Sequence, residues 1–171
     1  NRKHTIEEYL KIIEKLSKIN SNIKFSSDFI IGYPGETLED FKLTEKLIKN
    51  VQYINSYSFI FSARPGTPAF KLKKVNRFEA KKRLISFQSI AEEIKTKYRE
   101  TLIGKISNVL FENKTKDGNK YFGRDEYLNA VIVKSDESLV GKIKKVKITG
   151  GNHTTLYGET FSKLNQNNYA A

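Results

Sequence analysis

With 171 residues, no cysteine and a formal charge of +12, the chain has room for one medium domain or two small ones and offers no thiolate for a disulfide, zinc or iron–sulfur centre. Its 38% hydrophobic content argues for folding rather than disorder, and no apolar run approaches the ~20 residues that span a bilayer, so a cytoplasmic protein without membrane contact is expected. The excess of 31 Lys and Arg over 19 Asp and Glu favours a polyanionic partner, RNA first, although a composition rich in Lys, Asn and Ile supplies part of that charge without any function.

The first residues run directly into a helical pattern rather than a signal peptide. Thr5 followed by Glu8 is a capping box, and Ile6, Tyr9, Leu10, Ile13 and Leu16 then recur at helical spacing. Residues 23–31 are strand-like and end in Gly32-Tyr33-Pro34-Gly35-Glu36. Thr37 and Asp40 cap a second helix bearing Leu38, Phe41, Leu47, Ile48 and Val51, and residues 56–62 form the next strand. Helix, strand, helix, strand implies parallel strands joined by a crossover. Two such strands cannot cover both their faces, so the segment reads as a piece of a larger α/β body.

Arg64-Pro65-Gly66-Thr67-Pro68 breaks structure, and a basic run follows: Lys71, Lys73, Lys74, Arg77, Lys81, Lys82 and Arg83. Asn76 and Glu79 cap a long helix with Leu84, Phe87, Ala91, Ile94, Tyr98 and Leu102 on its apolar side. After Gly104 the period changes to alternation, marking a boundary near Leu102. Five strands fit, at 105–112, 119–124, 128–134, 141–149 and 154–161, with a turn at Lys116-Asp117-Gly118-Asn119 between the first two. Five short strands close most readily into a small OB-like barrel, which removes open edges. The tail from Asn165 has no periodicity and is expected to fray.

Two stretches carry the chemistry. Asp28 to Thr37 sets an acid on an apolar strand, then a Gly-Pro-Gly turn at the strand's C-terminal end and a capped helix, the place where α/β folds collect ligands. A tight βα turn with a capping acid is the alternative. Ser58 to Ala69 again ends a strand in polar groups and a turn. If the strands are parallel neighbours, Arg64 sits at the same end as Asp28, suited to a carboxylate or phosphate, unless it is simply a surface arginine. His4 and His153 are isolated and suggest no metal site.

Together these stretches resemble the methylthiotransferase family of radical-SAM enzymes. The family's acid, apolar strand and Gly-Phe-Pro-Gly-Glu-Thr pattern is matched at Asp28 to Thr37, with Tyr33 in place of Phe. The Ser-x-Arg-Pro-Gly-Thr-Pro-Ala ending is matched at Ser62 to Ala69 in the form of the tRNA-modifying MiaB branch; the ribosomal-protein branch tends to carry an acid where Arg64 stands. Val146-Lys147-Ile148-Thr149 and Leu156-Tyr157-Gly158-Glu159 look like the end of a TRAM domain, an RNA-binding barrel.

The resemblance implies an α/β chain: residues 1–102 as the C-terminal portion of a radical-SAM half-barrel, 103–162 as a five-stranded TRAM β-barrel of OB-like form, and 163–171 as a tail. It implies addition of a methylthio group to isopentenylated adenosine beside the tRNA anticodon, using S-adenosylmethionine and two 4Fe-4S clusters whose cysteines this chain lacks. The chain is therefore expected to be a fragment, or one half of a split enzyme, inactive without the N-terminal half. Asp28, Gly32, Gly35, Glu36 and Arg64 are the expected S-adenosylmethionine contacts, and Lys71, Lys73, Lys74, Arg77, Lys81, Lys82, Lys142, Lys144, Lys145 and Lys147 the contacts to a tRNA anticodon stem-loop. Residues 101–160 hold ten Lys or Arg against seven Asp or Glu, so most of the positive charge lies earlier, which makes the run from Lys71 to Arg83 the stronger RNA candidate. Tyr121, Phe122 and Tyr127 stack on bases or fill the barrel, with filling favoured. Two other readings remain: a TRAM-type RNA-binding protein without chemistry, and a ribosomal-protein methylthiotransferase.

Overall fold

The computed structural model describes residues 4–116 and 118–160, which fall into two compact units that divide between Ile94 and Lys95. The first unit holds helix α1 (Ile6–Ile19), strand β1 (Ser26–Ile31), helix α2 (Leu38–Val51), strand β2 (Asn55–Ile60), a 3₁₀ turn at Pro68–Lys71 and most of helix α3 (Arg77–Glu100).

Both expected capping boxes form. Thr5 Oγ1 accepts from the Glu8 N–H while Glu8 Oε2 accepts from the Thr5 N–H, and Thr37 and Asp40 repeat the exchange at α2. Asn76 starts α3 by accepting from the Phe78 N–H through Oδ1. Strand β1 begins later than the apolar pattern suggests, because the chain leaving α1 first closes a turn in which the Ile23 N–H reaches the Asn20 carbonyl.

Strands β1 and β2 pair in parallel, with Asp28 beside Tyr57 and Ile31 beside Ile60. Phe29 and Ile31 turn to the helices and bury against Phe41, Ile48, Tyr53, Phe87 and Ile94, with the Phe29 and Phe87 rings 4.6 Å apart. The opposite face keeps Ile30, Tyr57 and Phe59 exposed at 60, 57 and 58%. Asp28 belongs to that exposed face, because the two-residue pleat puts it on the side opposite Phe29.

The second unit is a closed barrel of strands β3 (Ile106–Lys114), β4 (Lys120–Asp125), β5 (Ala130–Lys134), β6 (Ile143–Gly151) and β7 (Thr155–Thr160) in the order β3-β4-β5-β7-β6, with β3 pairing β6 to complete the ring. Among the described residues of the barrel only β5 and β7 run parallel, the arrangement of a five-stranded Greek-key barrel of the OB kind. All five expected strands are present, with their ends displaced by no more than two residues; Asp117 of the expected turn, Phe161 and the tail from Asn165 lie outside the described residues.

Alternation builds the barrel's interior. Val109 and Phe111, Tyr121, Val131 and Val133, Val146 and Ile148, and Leu156 point inward, each worth about 1.5–3 kcal/mol on burial, so a one-residue slip of any strand would be costly. Leu102 joins this core, and the buried Arg99 guanidinium donates to the carbonyls of His153 and Thr154, tying the end of α3 to the β6–β7 loop. His153 thus contributes its backbone oxygen here.

Candidate functional site

Both parallel strands end in the same turn chemistry. In Tyr33-Pro34-Gly35-Glu36 the Glu36 N–H reaches the Tyr33 carbonyl at 2.9 Å, and in Arg64-Pro65-Gly66-Thr67 the Thr67 N–H reaches the Arg64 carbonyl at 3.3 Å. Each has proline second and a glycine of positive φ third, +87° at Gly35 and +81° at Gly66, which is the pattern of a type II turn. Thr67 Oγ1 also donates to the Arg64 carbonyl at 2.8 Å. These turns fold back from the strand ends, and the Tyr33 and Phe61 rings meet edge to face at 5.1 Å between them.

A groove of about 540 Å³ opens at this end of β2, lined by Ile30, Phe59, Ile60, Phe61, Ser62, Arg64, Thr67 and Ala69. Its floor is the exposed apolar face of the sheet, and its polar groups come from the segment following β2. The volume falls within the range of small-molecule sites.

Of the five residues expected to contact a small ligand, Arg64 alone is among the lining residues of this groove. Asp28 shares the open sheet face with Ile30, but its register partner is Tyr57, so it lies mid-strand, about 10 Å of strand before the end that Arg64 follows. The strands are the parallel neighbours that the expectation required, with Asp28 inside β1 and Arg64 beyond the end of β2. Gly32 has φ +73°, and a Cβ there would stand 2.8 Å from the Ala80 Cβ, so its close approach is to α3. Glu36 is turned into the fold: Oε2 accepts from the Gly32 N–H at 3.0 Å, and Oε1 pairs with Arg83 Nη1 at 2.7 Å. Gly35 has open space around it.

Arg83 leaves the basic run by the same contact, since its side chain is only 11% exposed. The other cations, Lys71, Lys73, Lys74, Arg77, Lys81 and Lys82, are all exposed, from the 3₁₀ turn into the first two turns of α3. Lys74 Nζ lies 5.7 Å from the Phe70 ring centre. Cations at the start of a helix oppose its macrodipole by ~0.3–1 kcal/mol each near the first turn, a cost that a bound anion would offset.

On the barrel, Lys142, Lys144, Lys145 and Lys147 are exposed along the approach to and length of β6, where Lys145 stands opposite Asn108 and Lys147 opposite Ile106. The three barrel aromatics divide. Tyr121 fills the core, Phe122 is half-buried on the outer face, and the Tyr127 ring packs edge-on to Tyr98.

Sequence reasoning did not single out Tyr57 and Phe59 as part of the open face. Their signal was legible in principle: Tyr57 and Phe59 alternate with Ser56 and Ser58 along β2, which sets both rings on one face.

Comparison with known proteins supplies the context for these surfaces. Residues 100–161 match the model of the TRAM domain. Over 159 residues, 93% of the chain, the sequence is 52% identical to a tRNA-2-methylthio-N(6)-dimethylallyladenosine synthase of Pelagibacter ubique. Proteins of the same description from Buchnera aphidicola and Wolbachia pipientis are 43% and 40% identical over 96% and 94% of the chain. The chain spans about 36–37% of the length of these relatives.

Proposed function

Because this chain belongs to the MiaB-type tRNA methylthiotransferase family and carries its TRAM domain, we propose that it is the C-terminal portion of an enzyme that adds a methylthio group to isopentenylated adenosine beside a tRNA anticodon. The observation that carries the reading is that one chain joins a ligand-sized groove at the ends of parallel strands, with Arg64 on its rim, to a TRAM barrel. Residues 1–102 are read as the end of the radical-SAM half-barrel and 103–162 as the TRAM barrel, acting in the cytoplasm. The exposed face of Asp28, Ile30, Tyr57 and Phe59 supports the first part, because two strands with an uncovered apolar face suit the inside of a larger α/β barrel.

The residues of the groove fit S-adenosylmethionine. Ile30 and Phe59 offer an apolar surface to its adenine, and Arg64 offers a planar fork of donors to its carboxylate. When bound with an iron–sulfur cluster, that cofactor supplies radical chemistry. Lacking cysteine, the chain does not fit a 4Fe-4S cluster, so both clusters belong to the N-terminal half of the enzyme. What this chain does is bind and orient: Arg64 holds an anionic group, the Pro-Gly turns fix the loops that carry it, and the exposed cations hold tRNA phosphates.

The test is a chimera in which this chain replaces the matching segment of the Pelagibacter ubique synthase, with the modified tRNA nucleoside read by mass spectrometry. A methylthiolated, isopentenylated adenosine is the expected product. A chimera that folds and loads its clusters but transfers nothing to tRNA would refute the reading.

A further inference from the structure

The outer face of β4, β5 and β7 has a feature that the lysine tracks do not explain. Phe122, Ile132 and Tyr157 stand on one register line across the three strands, Phe122 opposite Ile132 and Ile132 opposite Tyr157. All three point away from the core, and Tyr157 is 43% exposed. The Arg124 guanidinium lies 5.4 Å from the Phe122 ring centre, with Glu112 paired to it at 3.1 Å. At the other side of the row Lys120 stands directly opposite Lys134, a like-charge pair that weakens a sheet unless an anion lies against it.

Gly150, beside Tyr157 on β6, is the second observation. Its φ is not positive, and a Cβ there would meet nothing within 4 Å. The space beside Gly150 is therefore open, in contrast to Gly158, Gly123 and Gly151, where a Cβ would strike neighbouring atoms at 2.5, 2.4 and 2.9 Å, and the glycine itself stands at the register shift between Ile148 and Gly150 in the β6–β7 pair. With no side chain at Gly150, the space beside the Tyr157 ring is left clear for a ligand.

We propose that this face is a stacking surface for unpaired RNA nucleotides, with one base on Tyr157 above Gly150, a second on Phe122 and Arg124, and the backbone phosphates along Lys120 and Lys134. The inference rests on the reading that the barrel binds RNA and names the face and mode of binding. Strands lie about 4.8 Å apart, so Phe122 and Tyr157, two strands apart, are separated by roughly 10 Å and take separate bases. Bases within a duplex have their faces covered, so only single-stranded RNA presents what the rings need.

The chain contains no tryptophan, so Tyr157→Trp introduces a sole reporter on this face. A short single-stranded oligoadenylate is expected to quench its fluorescence, and a blunt adenylate–uridylate duplex to leave it unchanged. Tyr157→Ala should weaken binding of the single strand roughly 5- to 150-fold, the equivalent of ~1–3 kcal/mol per stacked base, while Tyr157→Phe keeps it. Gly150→Val should weaken it similarly by filling the open space beside Tyr157, with the unfolding midpoint measured on the same variant to separate this from any loss of stability at the register shift. Unquenched tryptophan together with unaltered affinity in Tyr157→Ala and Gly150→Val would overturn the stacking face while leaving RNA binding intact. Failure of the unaltered chain to bind either oligoadenylate or tRNA would overturn both.

Discussion

Arg83 and Glu36, 47 residues apart, share one nitrogen: Arg83 Nη1 donates to Glu36 Oε1 at 2.7 Å and to the Glu36 carbonyl at 3.1 Å. Both side chains are 11% exposed, so the pair fastens the turn after β1 to α3 in a largely dry setting. Removing one partner from such a pair leaves the other charge uncompensated, at about 3–5 kcal/mol. Glu36→Ala is therefore expected to lower stability by that order in urea unfolding of the chain. If Glu36 served ligand binding alone, the unfolding midpoint would not move.

Gly32, just before this turn, and Gly35 within it should differ. Gly32→Ala meets both a positive φ and the Ala80 Cβ, whereas Gly35→Ala meets only the positive φ. Strain of this kind costs about 1–3 kcal/mol. Thermal unfolding should therefore rank Gly32→Ala well below Gly35→Ala, and equal midpoints would contradict the close packing of α3 on this turn.

An alkaline limb is expected from Tyr53. Burial, then the hydrogen bond to the Tyr9 hydroxyl at 2.6 Å, raises its pKa above the ordinary value of 10.0. The folded state thus holds this proton more tightly than the unfolded chain. Its contribution to stability is fully present below pH 10 and falls as pH rises past that value toward the higher folded one. Tyr98 is raised in the same direction, first by burial and then by the Asp125 charge. Unfolding followed between pH 9 and 12, as a rough working range, should steepen with pH, and Tyr53→Phe should flatten part of that slope. An unchanged slope would place the alkaline limb elsewhere.

What the sequence made legible was periodicity and turn chemistry. The capping boxes at Thr5 and Thr37, and the inward alternation of Val109 and Phe111 or Val146 and Ile148, are local signals that tertiary context did not override. Less legible was which polar residue faces what. Glu36 and Arg83 read as a ligand group and a surface cation because nothing local marks a contact made 47 residues away. The face of Asp28 was not legible either, because the run around it reads as an apolar strand and only the observed pleat sets it opposite Phe29. Tyr157 and Phe122 come onto one face, on either side of Ile132, only through the β4-β5-β7 order, which no run of residues encodes.

The basic run should act through phosphates. Lys73, Lys74, Lys81 and Lys82 are exposed, and replacing all four with Ala should weaken binding to an anticodon stem-loop whatever its sequence. The slope of log affinity against log salt should shrink by roughly 0.7–0.9 for each phosphate that is no longer neutralised. An unchanged slope would remove this surface from the RNA path.

Arg64 should behave differently in the complete enzyme that carries this segment. It lines the groove with Ile30 and Phe59, and its side chain follows a turn fixed by the Thr67 contacts to its carbonyl. A guanidinium holding an anionic cofactor group contributes ~1.5–3 kcal/mol through charge-assisted hydrogen bonds, so Arg64→Ala should weaken cofactor binding roughly ten- to hundred-fold. Arg64→Lys should recover only part of this, because an ammonium lacks the bidentate fork. Neither change should alter the salt dependence of tRNA binding. The decisive comparison is therefore one salt titration of the four-lysine variant and the Arg64→Ala enzyme side by side, with cofactor affinity measured on the same samples. If Arg64→Ala reduced the slope as the lysine replacements do, or left cofactor affinity unchanged, Arg64 would belong to the phosphate track, and the groove would need another anion-binding group.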